Sequence, residues 1–401
     1  MSRETQTPMP AGVPRRAWLG MVLCITGAWL GACTSGQLGD AITQPPAQPG
    51  AAPGALGIGK VRVGLILPLS SREAGAAALS MRNAAEMALA EFKNPDIQLL
   101  LKDSAGTAQG ARFAAEQAVA EGAELILGPL FAHSVAAAGQ VARSRGIPVI
   151  AFSTDTSVAA RGVYLLSFLP ESDVDRIVDY AAGRRKRSMA VLVPDNAYGS
   201  VAEAALKQAA ARHRARVVAL ERYPADRGNL QAPVARIAQA ARQADAVFIP
   251  DSGDAVVAIV AALTASGVDV KRLQLLGTGV WDADQRIFGT PALQGGWFAA
   301  PDAAGFRGFA ARYRQRFGQE PIRIATLAYD GVALVAALTK TQGPQRFSEA
   351  VLTNNSGFAG IDGVFRFRSD GTNQRGLAVL RVTSSGGQVI GAAPKTFAPG
   401  R

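Results

Sequence analysis

The chain has 401 residues, of which 48% are hydrophobic and 18% charged, a globular composition that excludes a wholly disordered chain. Lys and Arg number 42 against 31 Asp and Glu, so the formal net charge is +11. Two cysteines, Cys24 and Cys33, and two histidines, His133 and His213, exclude a disulfide scaffold and leave almost no ligands for a Cys- or His-based metal centre.

The first 32 residues have the pattern of a bacterial export signal. Arg15 and Arg16 precede an apolar run at 17–30 that is too short to span a bilayer. The run ends at Leu30-Gly31-Ala32-Cys33, which resembles the lipobox of bacterial lipoproteins. This resemblance implies cleavage after residue 32 and lipidation of Cys33; the alternative is an ordinary signal peptide with a chance cysteine. The arginine pair also loosely resembles a twin-arginine signal, which would change only the export route.

Residues 33–60 are rich in Pro, Gly and Ala and contain few large apolar side chains. Such a composition cannot support a core, so we expect a disordered tether between the lipidated cysteine and the globular part. No later uncharged apolar run reaches about 18 residues, so no membrane-spanning helix is predicted.

From residue 61 onward, short apolar segments alternate with helical patterns, which predicts parallel sheets built from βαβ units. The pattern restarts after residues 168–173. The sequence therefore predicts an α/β fold with two doubly wound, Rossmann-like lobes. The predicted strands are 61–67, 97–102, 124–127 and 148–152 in the first series, and 189–193, 217–221, 246–250 and 273–276 in the second; helices are predicted at 80–92 and 108–121.

The C-terminal third contains both kinds of element. Helical spacing is found at 303–317 and 326–340, and two strands at 363–368 and 377–383 are expected to form an antiparallel pair around the turn 369–372. We expect the N-terminal lobe to comprise 61–168 plus 300–355, and the C-terminal lobe 169–299 plus 356–401.

The sequence contains no motif that predicts catalysis. The glycines at 54–59 precede the first strand instead of following it, so they cannot form a dinucleotide-binding turn, and neither a P-loop nor a G-x-S-x-G elbow occurs. His133 and Ser134 are neighbours in sequence, which is poor geometry for a base and its nucleophile. We therefore predict no enzyme activity, no catalytic residue, no cofactor and no metal.

The basic residues are scattered and are not interleaved with aromatic residues, so no nucleic-acid partner is predicted. The one dense basic run is Arg184-Arg185-Lys186-Arg187. With an export signal, a contact with acidic cell-wall polymer or lipid headgroups is the more compatible interpretation.

Polar side chains recur where the predicted strands end. In open α/β sheets, ligands bind beyond the carboxyl ends of the strands, where loop amides and helix N-termini offer donors. The same hydroxyls are equally suited to capping helices. The candidate ligand-binding residues are Ser70, Ser71, His133, Ser134, Ser153, Thr154, Tyr198, Asp251 and Ser252.

Several motifs together resemble type I periplasmic binding proteins of the leucine/isoleucine/valine-binding family, over roughly residues 61–385. The resemblance implies two lobes joined by three crossings, with a hinge that closes on the ligand. The motifs, in order, are Gly64-Leu65-Ile66-Leu67-Pro68-Leu69-Ser70, Asp103-Ser104-Ala105-Gly106-Thr107, Leu127-Gly128-Pro129, Gly146-Ile147-Pro148-Val149-Ile150, Phe168-Leu169-Pro170, Asp195-Asn196-Ala197-Tyr198-Gly199 and Ala328-Tyr329-Asp330-Gly331.

The resemblance also implies roles for the candidate residues. Ser153 and Thr154 match the donors to the ligand carboxylate, and Tyr198 matches the tyrosine of the Tyr-Gly turn. His133 and Ser134 lie where the family gives hydroxyl or amide contacts, and the loop with Asp251 and Ser252 replaces one that often gives an aromatic residue. The family's acidic partner for the ligand ammonium falls near Thr278 or Gly279, which are not acidic, leaving Asp282 or Asp251 as substitutes.

The function implied is a periplasmic solute-binding protein, anchored to a bacterial membrane through Cys33, that binds a small polar ligand such as an amino acid for an ABC permease. Residues 64–70 and 127–130 are also similar to penicillin-binding protein activators, lipoproteins of the same fold that stimulate peptidoglycan synthases by contact. The alternative is therefore a regulator whose partner is a peptidoglycan synthase and whose ligand, where one binds, is a cell-wall fragment.

Overall fold

The computed structural model describes residues 54–92, 95–224, 226 and 228–397. The predicted signal peptide, Cys33 and most of the predicted tether lie outside these residues. The described chain begins with strand β1 (Ala55–Leu56), which pairs with residues 99 and 100 while Leu56 packs on the adjacent core. The last residues of the predicted tether are thus part of the sheet. Within the described ranges, no helix is long and apolar enough to cross a membrane.

The first sheet has six strands in the order β1-β3-β2-β4-β5-β6, and every pair except β1 with β3 is parallel. Its central strands are apolar because helices cover both faces. The strands are β2 (Val61–Leu67), β3 (Ile97–Asp103), β4 (Leu125–Leu127), β5 (Val149–Ala151) and β6 (Val163–Leu165), and the helices are α1 (Gly75–Glu91), α2 (Ala108–Ala120) and α3 (Ala132–Arg143).

The second sheet repeats this winding, with parallel strands in the order β11-β10-β9-β7-β8. The two predicted doubly wound units are therefore confirmed. Its elements are α4 (Pro170–Gly183), β7 (Ser188–Asp195), α5 (Ala197–Arg212), β8 (Arg216–Pro224), α6 (Gln231–Ala240), β9 (Ala246–Phe248), α7 (Gly253–Ala265), β10 (Gln274–Gly277), α8 (Gln285–Gly289) and β11 (Trp297–Ala300).

The chain then returns to the first lobe before it finishes in the second sheet. Helices α9 and α10 pack beside α1, β12 to β14 form a small antiparallel sheet, and β15 and β16 extend the second sheet next to β11. These elements are α9 (Ala303–Phe317), α10 (Ala325–Thr341), α11 (Glu349–Leu352), β12 (Phe358–Gly360), β13 (Gly363–Phe367), β14 (Asn373–Arg375), β15 (Ala378–Thr383) and β16 (Gly386–Gly391).

The predicted antiparallel pair of 363–368 with 377–383 is wrong. The turn at 369–372 returns the chain into β14, which takes the hydrogen-bonding edge of β13. Strand β15 pairs with β11 and β16 instead. The reason is burial, because the four apolar residues of β15 pack on both faces of a sheet, and the second sheet is covered on both faces.

Three short segments connect the lobes: 166–169 between β6 and α4, 301–302 between β11 and α9, and 376–377 between β14 and β15. Phe365 and Phe367 pack in the core between the first sheet, α1 and α10. This packing favours placing 358–375 with the first lobe, whereas the sequence suggested the second; the lobe limits as a whole stay a prediction.

A substitution at Gly128, the residue after β4, can test how tightly the carboxyl end of this strand is packed. The φ of Gly128 is +88°, and a Cβ there would lie 2.1 Å from the carbonyl oxygen of Ile66. We expect Gly128→Ala to lower the free energy of unfolding by about 2–4 kcal/mol, through left-handed strain and backbone overlap. Gly146→Ala is the control, because φ is +67° and no described atom lies within 4 Å of its Cβ position; about 1 kcal/mol is expected. Equal losses in urea denaturation would contradict the packing argument.

Candidate functional site

The topology places a switch point at the same position in each of the two sheets. In the first sheet, β2 and β4 are neighbours, yet their following helices α1 and α3 cover opposite faces. In the second sheet, β7 and β9 have the same relation, with α5 and α7 on opposite faces. Such switch points are where open α/β sheets bind ligands. The loops that follow these four strands carry most of the candidate residues.

The loop after β2 is held by Asp103, the last residue of β3. Its carboxylate accepts the N–H of Ser70 at 3.2 Å and that of Ala105 at 2.8 Å. Burial raises the pKa of Asp103, but hydrogen bonds from Ser70 and Ala105 outweigh it and hold the pKa below its ordinary value. Ser71 accepts the N–H of Ala74 at 3.3 Å. Both serines therefore help to shape this loop.

His133 and Ser134 join the start of α3 to the loop after β3. The His133 Nε2 lies 2.9 Å from the carbonyl oxygen of Gly106, and the Ser134 hydroxyl donates to that of Thr107 at 3.2 Å. Phe131 precedes the helix and supplies no side-chain cap. The first amides of α3 are therefore available to an anionic group, whereas the two predicted side chains are engaged within the protein.

Ser153 and Thr154 follow β5, the neighbour of β4. The N–H of Phe152 donates to the carbonyl oxygen of Pro129 at 2.9 Å and ties the two strand ends together. Ser153 is buried and accepts the N–H of Asp155 at 3.1 Å. Thr154 is exposed, and within the described chain its hydroxyl has no hydrogen-bond partner. The Thr154 hydroxyl is thus available to a ligand at the end of β5, the strand next to β4.

In the second lobe, Tyr198 and Thr278 share a hydrogen bond of 2.7 Å between their hydroxyl oxygens. Burial raises the pKa of Tyr198, so its hydroxyl stays protonated. Asp251 accepts the hydroxyl of Tyr223 at 2.5 Å and the N–H of Ser252 at 2.6 Å. The structure therefore brings Tyr198 to the end of β10, while Asp251 is engaged with its own lobe.

The sequence missed an acidic residue beside the loop with Thr278 and Gly279. Asp173, from the first turn of α4, accepts the N–H of Gly279 at 2.9 Å, and its charge also acts on Tyr198. Asp282, the substitute suggested from the sequence, is partly buried and faces the charges of Arg323 and Arg307. Burial raises the pKa of Asp282 despite these two cations.

A group of charged residues lies where the chain crosses between the lobes; we call Asp173, Arg323, Asp330, Asp362 and Arg375 the crossing cluster. The guanidinium carbons of Arg323 and Arg375 lie 4.8 Å and 4.7 Å from the ring centre of Phe168, in the first crossing. Arg323 donates two hydrogen bonds to Asp362, at 2.9 and 2.6 Å. Cation–π contacts therefore connect the first crossing to Arg375, which directly precedes the third crossing, and to Arg323.

Arg375 is the most buried cation of the crossing cluster, with 5% of its surface exposed. Its Nε donates to the carbonyl oxygen of Ser167 at 2.9 Å. Among the described residues, neither terminal nitrogen of Arg375 has a hydrogen-bond partner, nor does Oδ2 of Asp330. Burial raises the pKa of both Asp330 and Asp173 to about 7, although the charge of Arg375 opposes the shift.

Comparisons with known proteins agree with this architecture. The sequence profile of the periplasmic binding protein family matches residues 60–388, so the chain belongs to the periplasmic binding protein family. The resemblance inferred from the sequence motifs is confirmed. A search of curated proteins found no match.

Solved structures share the fold. A Rhodospirillum rubrum protein, provisionally assigned to branched-chain amino acid ABC transport, is 21% identical, covers 82% of this chain and 99% of its own, with a TM-score of 0.73. A Sphaerobacter thermophilus ABC transporter substrate-binding protein has 22% identity, coverages of 84% and 98%, and a TM-score of 0.66. A Rhodopseudomonas palustris solute-binding protein in complex with 3,4-dihydroxybenzoic acid has 21% identity, coverages of 84% and 97%, and a TM-score of 0.58.

Proposed function

We propose that this chain is a periplasmic solute-binding protein, anchored to the membrane by a lipid on Cys33, that delivers a small carboxylate ligand to an ABC permease. The observation that carries the proposal is the set of polar groups at the switch points of both sheets, in a chain that belongs to the periplasmic binding protein family. No covalent step is part of this function, so the protein acts by binding and not as an enzyme.

The available donors favour a ligand with a carboxylate. The Thr154 hydroxyl and the free amides of α3 would bind it from the first lobe. Asp173 and Tyr198 would bind a cationic or hydroxyl group of the ligand from the second lobe. A carboxylate is common to 3,4-dihydroxybenzoic acid and to branched-chain amino acids, the compounds connected with two of the structural neighbours.

A thermal-shift screen with leucine, isoleucine, valine, 3,4-dihydroxybenzoate and a muropeptide tests the proposal. We expect one of the amino acids or 3,4-dihydroxybenzoate to stabilise the protein by about 2.7 kcal/mol at a hundred times its Kd, because it binds only the folded state. Tyr198→Phe should weaken binding about tenfold through one lost hydrogen bond. Tyr180→Phe is the matched control, since its hydroxyl bonds to Ile390, away from the crevice. Equal weakening by both variants would contradict the proposed site.

A second candidate function is supported by the internal hydrogen bonds of the candidate residues. His133, Ser134, Asp251 and Tyr198 all have partners within the protein. This favours a protein that acts by binding a partner protein at its surface instead of a ligand in its crevice, as the penicillin-binding protein activators do. No shift with the amino acids or with 3,4-dihydroxybenzoate, together with retention of a peptidoglycan synthase on the immobilised protein, would support this alternative and contradict the receptor.

A further inference from the structure

The end of the second lobe farthest from its candidate ligand site carries a dense group of cations. We call it the basic edge. It comprises 184–187, Arg214, Arg216, Arg242 and 271–272, which the structure places at the surface. Only the first of these segments is conspicuous as a basic run in the sequence. The others are single or paired cations that the fold brings to the same edge.

Sheet topology explains why these residues meet. Each segment lies directly before, or at the first residue of, one of the four neighbouring parallel strands β8, β7, β9 and β10. Backbone hydrogen bonds join the segments: Arg216 N–H to Arg187 O at 2.6 Å, Asp245 N–H to Ser188 O at 2.7 Å, and Gln274 N–H to Asp245 O at 3.0 Å. Four strands at their usual spacing give an edge about 15 Å wide. The candidate ligand residues lie at the opposite, carboxyl edge.

The nine cations of the basic edge outnumber the two carboxylates placed among them, those of Asp245 and Asp269. Within the described chain, none of them forms an ion pair. Asp245 accepts the backbone N–H groups of Arg187 and Ser188, and Asp269 accepts that of Lys271. Asp175 and Asp179, on α4, are paired with Arg212, Arg176 and His213. The edge therefore presents an excess of unpaired positive charge.

We infer that the basic edge docks on anionic lipid headgroups of a bilayer. Unpaired cations spread over a broad edge match a surface of many phosphates, which needs no pocket of fixed shape. A protein partner would require apolar anchors, and the large exposed apolar side chains of the described chain, such as Phe113, Leu79 and Ile322, lie outside the basic edge. The edge also lacks the exposed aromatic stacking platform of a single-strand binder.

In this orientation ligand could still enter the candidate site, but delivery to a permease in the same membrane would require release of the basic edge from the lipid surface. The basic edge would face the membrane, and the carboxyl ends of β7 and β9 would point away from it. The inference is independent of which ligand or partner the crevice serves. It would supplement the lipid on Cys33, since one acyl-type anchor plus a basic surface binds membranes more stably than either alone.

Vesicle co-sedimentation of the full chain tests the inference. We expect tighter binding to phosphatidylcholine vesicles containing about 30% phosphatidylglycerol than to pure phosphatidylcholine, and loss of the difference at about 0.5 M salt. The variant Arg185→Gln/Arg214→Gln/Arg242→Gln/Lys271→Gln, with one change before each strand, should bind the anionic vesicles at least about tenfold more weakly. The N-terminal segment is the same in every variant, so its contribution to vesicle binding does not affect the comparison between variants.

The matched control removes the same charge from the first lobe. Arg72, Arg112, Arg143 and Arg145 are exposed, and we expect their joint replacement by Gln to change binding less than about twofold. An equal loss in this control would show a net-charge effect and overturn the inference. Equal binding of both kinds of vesicle by the unaltered chain would also overturn it, even if a variant failed to fold. Retention on polyglutamate without vesicle binding would assign the edge to an acidic protein instead.

Discussion

Arg375→Met is expected to lower the free energy of unfolding by about 3–5 kcal/mol at pH 8, because it leaves buried carboxylates without their cation. Arg375 is buried against Phe168, and its charge acts on Asp330, Asp362 and Asp173. Urea denaturation measures the loss. Arg368→Met is the control: Arg368 is exposed, so its replacement should change the stability by less than about 0.5 kcal/mol.

Arg375→Met should lower the free energy of unfolding less at pH 5 than at pH 8. Asp173 and Asp330 have a pKa of about 7 in the folded protein, against about 4 in an unfolded chain. The folded state therefore holds protons that the unfolded state has released, and the stability they contribute is lost as the pH rises through 7. At pH 5 both carboxyls are largely protonated and need no cation. Equal penalties for Arg375→Met at pH 5 and pH 8 would contradict this account of the crossing cluster.

Asp362→Ala should lower the free energy of unfolding by about 3 kcal/mol. This value is near the lower end of the losses seen when a buried ion pair is broken, because the Arg323 side chain is partly open to water. The fully buried carboxylate accepts two hydrogen bonds from Arg323 and one from the Thr326 hydroxyl at 2.6 Å. Its removal leaves the guanidinium, which contacts the rings of Phe168 and Phe306, without a carboxylate partner and with only the Thr326 hydroxyl as acceptor, at 3.4 Å. Denaturation midpoints measure the loss.

Two further variants make this test specific. Glu116→Ala, at an exposed position of α2, removes a carboxylate without a described partner and should change the stability by less than about 0.5 kcal/mol. Adding Arg323→Met to Asp362→Ala should recover part of the loss, because the unpaired guanidinium is removed as well. Additive losses would mean that the pair is not coupled.

Elements with a strong local pattern were predicted well. Strand β2 and helix α9 have the predicted bounds, 61–67 and 303–317. Helix α1 was expected at 80–92 and begins earlier, at Gly75. Alternation of apolar strands with amphipathic helices depends on neighbours a few residues apart, so the α/β class and the two-lobed winding could be predicted without coordinates.

Strand pairing and the crossing cluster could not be predicted in the same way. Strands β13 and β15 are adjacent in sequence but belong to different sheets, because pairing depends on which sheet has a free edge and a covered face. Asp173, Asp330 and Arg375 are about 200 residues apart at most and share no local motif, although Asp330 lies in one of the motifs that carried the family resemblance. Equally, several candidate hydroxyls were chosen by position at strand ends, and only the structure shows which are engaged internally.

The sequence by itself determined the fold class and the family, and it located the strand ends that carry the candidate ligand-binding residues, because periodicity and short motifs are local properties of the chain. Only the tertiary structure decided the partners of those side chains, the burial that raises the pKa of Asp173 and Asp330, and the alignment of four separate basic segments on one edge. The side-chain partners, the burial and this alignment depend on packing between elements far apart in sequence, which the local sequence pattern does not specify.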